Sequence, residues 1–147
     1  MLFAGSSTVA QGQKILPPDL DRIESQVRVV SQTYERRFGE EFPSGTKRIA
    51  ALQRMLNEKV FRKDETYKLQ SMGVALGQIL AEAGSLQWVT VSDEYGDDPA
   101  LRYRRTSVLV FPLTMISKRV ERDEEVDVEY LYEHTLSIVR ELEAKDQ

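Results

Sequence analysis

Cysteine is absent from this 147-residue chain, and histidine and tryptophan occur once each. Without cysteine there can be no disulfide, thiolate-bound zinc, iron–sulfur cluster or thiol nucleophile. The absence fits a reducing compartment, so a cytoplasmic location is expected, with periplasmic export from a longer precursor as the alternative. No apolar run approaches the roughly 18–20 residues of a membrane span, and no membrane partner is expected. The apolar start, residues 1–5, lacks a basic segment and a full apolar stretch, and Ser7-Thr8-Val9-Ala10 resembles the end of a signal peptide only loosely. A glycine-rich phosphate loop and a Gly-x-Ser-x-Gly elbow are missing too.

What remains has the composition of a folded, soluble protein, with 41% hydrophobic and 30% charged residues. The net charge of -4 is unevenly spread. Residues 1–63 carry 11 basic and 7 acidic side chains, whereas residues 64–147 carry 9 and 17. Such polarity can steer a charged partner, or it can reflect nothing more than differing helix surfaces. An acidic chain without a basic, aromatic-interleaved stripe argues against a nucleic-acid partner.

Residues 1–16 show no periodicity and read as a flexible lead-in to a single domain over 17–147. Pro17-Pro18-Asp19 opens a helix, because proline tolerates the first turn and aspartate suits its positive end. Leu20, Ile23, Val27, Val30 and Tyr34 form its apolar stripe, and Gly39 is a left-handed stop. A loop over 40–45 leads to a second helix with Ile49, Leu52, Leu56 and Val60 inward. The charged Arg62-Lys63-Asp64 interrupts the pattern, and Asp64 is the expected cap of a third helix carrying Leu69, Met72, Leu76, Ile79 and Leu80. Gly84 ends it.

The period then changes to that of strands. Residues 87–91 are β-branched and aromatic, residues 93–99 form a turn cluster, and strands follow at 100–104 and 108–111. Pro112 closes the last strand. Thr114 is the expected cap of a short helix to about Val120. After the polar break at 123–125, Asp127 caps a final helix with Val126 and Leu131 as a hydrophobic staple. The fold class is therefore α+β: N-terminal helices, a three-stranded antiparallel meander, and C-terminal helices packed on the sheet.

Leu76-Gly77 on a helix, Trp88-Val89 followed by Asp93-Glu94-Tyr95-Gly96, and Phe111-Pro112 leading into Met115-Ile116-Ser117-Lys118-Arg119 carry a resemblance. Together with the acidic segment and final helix, the span from Met72 to Leu131 resembles a bacterial domain family of unknown function. The resemblance implies the helix–sheet–helix order and no particular activity.

Arg102 and Arg104 alternate on one face of the second strand, with Lys118 and Arg119 close by in sequence. Together they are the candidate binding residues for a carboxylate, phosphate or acidic surface, because arginine offers a bidentate fork. The plainer reading is a solvated face paired with nearby acids; on the binding reading, replacing Arg102 and Arg104 together by alanine would weaken partner binding and change stability by no more than about 1 kcal/mol. Gly73 and Gly77, four apart, indicate close approach of another element rather than a ligand groove. Asp93, Glu94, Asp97 and Asp98 read as a solvated turn, since their spacing is not that of a calcium loop, and no metal or cofactor is expected. His134 lies off the apolar stripe without an orienting partner or nucleophile, and no catalytic residue is assigned. The expectation is a small bacterial non-catalytic interaction or regulatory module with a protein partner, in its narrower form an immunity- or antitoxin-like protein masking a basic partner. The alternative is a small-ligand binder or enzyme using the Arg102/Arg104 face and the acidic turn. The oligomeric state is not legible in the residues.

Overall fold

The computed structural model describes residues 2–4 and 14–146. Its elements run β1 (Leu2–Ala4), α1 (Pro17–Phe38), α2 (Lys47–Asn57), α3 (Thr66–Glu82), β2 (Leu86–Asp93), β3 (Gly96–Tyr103), β4 (Val108–Val110), α4 (Pro112–Glu121) and α5 (Val128–Lys145). The meander β2–β3–β4 is antiparallel, as the alternating pattern requires. Helices pack on it, so the α+β expectation holds. Leu2–Ala4 extends the sheet by pairing antiparallel with β4, in the order β1-β4-β3-β2. The remainder of the lead-in expected over 1–16, apart from residues 14–16, lies outside the described residues. Among the described residues no helix is long and apolar enough to cross a membrane.

Helix α3 is the hub. Ser71 through Gly77, together with Leu69, Ile79 and Leu80, are buried, so it is covered on nearly all sides rather than along one stripe. Its closest neighbour is α4. A β-carbon on Gly73 would sit 2.1 Å from the Pro112 carbonyl oxygen, and one on Gly77 would sit 2.8 Å from the Trp88 ring and 2.9 Å from the Pro112 side chain. Both glycines therefore serve close approach, as their spacing predicts.

On the helix-facing side of the sheet, Leu86, Leu101, Tyr103 and Val110 join one large core with α3 and α5, and Trp88 packs against it. The opposite side carries Val89, Val91, Ala100 and Leu109, a smaller buried cluster with Phe111 at its edge. Trp88 thus shares its side with both α3 and α5; the two helices do not divide the faces between them.

Several local expectations shift. On α1 the buried row is Asp19, Ile23, Gln26, Val30 and Tyr34, while Leu20 is 45% exposed. Gln26 is tolerated inside because every polar end is bonded. Its Nε2 donates to the Tyr67 carbonyl and to Ser71 Oγ, and its Oε1 accepts from Arg22 Nε. Arg22 also donates to Asp98 Oδ1 at 2.9 Å, tying α1 to the hairpin. Glu65, not Asp64, is the residue before α3; its carboxylate accepts from the Arg62 amide at 2.9 Å, while Asp64 pairs with Arg62. Helix α4 starts at Pro112, with no side-chain cap, and Thr114 Oγ1 returns its bond to the Phe111 carbonyl. Proline at the first position removes a donor that would otherwise need a cap. The turn cluster at 93–99 contracts to Glu94 and Tyr95, because Gly96 (φ 121°) permits a tight two-residue connection. Pro99 is accommodated within β3 because it lies beyond the part of that strand that β4 pairs with.

The C-terminal end of α5 is latched to the sheet. Tyr103 Oη donates to Asp146 Oδ2 at 2.6 Å, Arg104 donates to the same oxygen at 2.9 Å, and Ser85 Oγ donates to Glu143. Burial, helped by the Asp146 bond, raises the Tyr103 phenol above the ordinary tyrosine value, and burial, with Glu133 next, does the same for Tyr132. A folded-state value above the unfolded one, about 10, adds stability below that pH, and the stability is lost as pH rises through the folded value. Alkaline titration of the six tyrosines by tyrosinate absorbance should therefore show a late phase coinciding with unfolding. Tyr103→Phe and Tyr132→Phe should each shrink it, and a late phase unchanged in both would remove the assignment.

Candidate functional site

Two breaks in helical periodicity, far apart in sequence, come together to form a concavity. Helix α2 stops at Asn57, where Lys59 adopts a left-handed conformation (φ 50°) and the Val60 amide donates back to the Met55 carbonyl. This turn drops Phe61 inward, and Arg62 and Lys63 form the next wall. Helix α4 ends in the same way. Asp123 is left-handed (φ 58°), and the Glu124 amide donates to the Arg119 carbonyl. The chain then runs to Asp127, which caps α5 by accepting from the Tyr130 amide at 3.0 Å.

Gln53 fixes the second wall against α2. Its Nε2 donates to the Val126 carbonyl at 3.0 Å, and its Oε1 accepts from the Val128 amide at 2.9 Å, so one side chain satisfies a donor and an acceptor of the linker backbone. Lys63 spans to Asp123 at 3.2 Å, and Thr66 Oγ1 donates to Glu121.

Between these walls lies a cleft of about 1330 Å³. Buried Met55, Phe61, Leu69 and Met72 form its floor, and half-buried Leu56, Val60, Val120 and Val126 line its sides. The rims differ in charge. Lys59, Arg62 and Lys63 stand on the α2–α3 side, and Asp123, Glu124, Glu125 and Asp127 on the α4–α5 side. Just before α3, the Glu65 carboxylate is held below its ordinary value first by the Arg62 amide and then by the Lys68 and Arg62 charges.

The arginine face has a different layout from the one its spacing suggests. Arg102 lies within β3, 4% exposed. Arg104 lies past the end of the strand in a left-handed turn (φ 46°), exposed, paired with Asp146 at 2.9 Å and Glu143 at 3.7 Å. Strand alternation ends at Tyr103, so it does not put the two arginines side by side. Lys118 is exposed on α4, and Arg119 folds back onto its own helix, donating to the Met115 carbonyl at 2.8 Å. Arg104 thus bonds into α5 and Arg119 into α4.

The acidic turn is a solvated hairpin tip. Asp93 accepts from the Tyr95 amide, Asp97 from Ser92, and Asp98 pairs with Arg22, leaving Tyr95 89% exposed. His134 is exposed and stacks on Tyr130 at 5.3 Å between centroids. Among the described residues no group of three or more metal-ligating side chains converges.

Sequence reasoning located both breaks, near residue 62 and at 123–125, but did not join them. The only local signal was that each interrupts an apolar stripe with charge while Val60 and Val126 continue it.

Among solved structures, a crystal structure of a protein from Bacteroides thetaiotaomicron VPI-5482 superposes with a TM-score of 0.76 at 14% identity. The match covers 88% of this chain and 50% of that one, so the chain spans half the length of its structural neighbour, and the likeness concerns the fold alone. No curated protein matches the chain. The sequence profile of one family, described as a domain of unknown function (DUF3806), matches residues 49–132, a span that contains every cleft residue from Gln53 to Asp127. More than half of the chain is matched, and the chain belongs to the DUF3806 family.

Proposed function

We propose that this chain is a non-catalytic interaction module that receives a segment of a partner protein in the cleft between the α2–α3 corner and the α4–α5 linker. The observation that carries the reading is the cleft itself, whose volume of about 1330 Å³ exceeds the roughly 300–1,000 Å³ usual for small-molecule sites. Its floor is apolar and its rims are charged, which is the anatomy of a protein contact rather than of a reaction centre. In the narrower form of this reading, the partner is masked by the module, as in immunity or antitoxin pairs. Anion capture by Arg102, Arg104, Lys118 and Arg119 has less support, because Arg104 already has two carboxylate partners and Arg119 a carbonyl one.

The test is affinity capture with three baits: the native chain, Val126→Asp and Arg104→Ala. The same protein should be recovered by the native chain and Arg104→Ala and be lost from Val126→Asp. Loss from Arg104→Ala alone would move the site to the arginine face.

A further inference from the structure

Resting on that reading, we infer that the segment received by the cleft is a cationic amphipathic one, its apolar side against Leu56, Val60, Val120 and Val126 and its lysines or arginines against Glu124, Glu125 and Asp127. The two charged rims are not equivalent once their internal pairs are considered. On the basic rim, Arg62 is matched by Asp64 at 3.1 Å and Glu65 at 3.5 Å, and Lys63 by Asp123 at 3.2 Å. On the acidic rim, Glu124 and Glu125 are exposed, and no ion pair to either is formed among the described residues.

Two adjacent, uncompensated carboxylates beside a capping aspartate repel one another, so a cation arriving there gains attraction and relieves repulsion. Glu121 and Glu129 flank the same linker and deepen the negative field, while the nearby cation Arg122 offsets only part of it. An acidic or purely apolar segment would satisfy the half-buried apolar sides and leave this field unmet. The opposite rim keeps Lys59 as a cation without an ion pair among the described residues, which suits one acidic residue on the far flank of the incoming segment. A helix laying its apolar face into a groove, flanked by charges, is an established recognition mode that this cross-section matches.

The test uses fluorescence anisotropy on the full chain with two labelled amphipathic peptides, one of leucine and lysine, the other of leucine and glutamate. The leucine–lysine peptide should bind, and its affinity should fall as salt rises. Reversing the rim with Glu124→Lys/Glu125→Lys should weaken it by about tenfold or more, the loss of roughly 1.4 kcal/mol. Val126→Asp and the milder Leu56→Gln should weaken it too, each checked for folding by its urea midpoint. Asp93→Lys/Glu94→Lys, an equal charge change at the hairpin tip, should alter binding by less than about twofold, because that tip is solvated and screened.

If the glutamate peptide binds equally well and still depends on Val126 and Leu56, the cationic assignment is wrong and the cleft reading stands. If the hairpin reversal weakens binding as much as the rim reversal, or no variant matters, the attraction is nonspecific and both fail. Concentration-dependent dimerisation in sedimentation, lost in Val126→Asp, would instead assign the cleft to a second copy of the chain and overturn the inference.

Discussion

Gly73→Ala should destabilise the protein by about 2–3 kcal/mol, even though alanine is the better helix former by about 1 kcal/mol. The added methyl would stand 2.1 Å from the Pro112 carbonyl oxygen, 3.0 Å from its carbon and 3.3 Å from the Leu113 carbonyl carbon. These are backbone atoms and cannot rotate away. Relief would require α4 to move off α3, but only Phe111 separates Pro112 from β4, whose pairing with β3 fixes where α4 begins. Shifting it opens the contact around Met72, Met115 and Ile116 in the main core. The measurement is a urea titration, with the midpoint falling and the slope unchanged. Gly77→Ala meets the Trp88 ring and the Pro112 side chain at 2.8–2.9 Å, so it should cost less than Gly73→Ala. Because Trp88 is the only tryptophan, the second variant should also change native fluorescence. A Gly73→Ala protein as stable as the native one would show that the two helices have slack.

Arg102→Ala should cost about 2–4 kcal/mol, and Arg104→Ala no more than about 1 kcal/mol. The two residues are two apart on one chain and chemically identical, so the contrast isolates burial. Arg102 is 4% exposed within β3, opposite Gln87 and Leu109, and truncating it leaves a cavity and strands whatever its guanidinium contacts. Arg104 is solvated, its pairs with Asp146 and Glu143 are screened, and the chain there is left-handed. Arg104→Gly should be the mildest of the three, because glycine accepts φ 46° without strain and offsets part of the lost pairing. Urea midpoints of the single variants check all three, and equal losses for Arg102→Ala and Arg104→Ala would refute the distinction. The near-neutral double mutant expected from a solvated strand face is corrected by the burial of Arg102.

The amino-acid order by itself determined whatever depends on neighbours in sequence. The five helices, the three strands of the meander, the left-handed stop at Gly39 (φ 69°) and the Asp127 cap are all legible, because periodicity and capping act over three or four residues. The Gly73/Gly77 spacing announced a close contact for the same reason. It did not say with what, since Pro112 and Trp88 arrive from later in the chain. Tertiary structure alone decided which side of an element faced inward when two readings were balanced. Gln26 is 0% exposed and Leu20 45% exposed because α3 offers the Tyr67 carbonyl and Ser71 to the amide. Arg102 sank into the fold while Arg104 turned outward, because β3 ends at Tyr103. The cleft is the extreme case. Each of its walls reads as an ordinary helix break, and they meet through α3–α4 packing together with the pairing of Lys63 with Asp123, the Thr66–Glu121 bond and the grip of Gln53 on residues 126 and 128. The Lys63 and Gln53 contacts join residues some sixty to seventy-five positions apart, where no local propensity reaches, so the site exists only once the helices have packed.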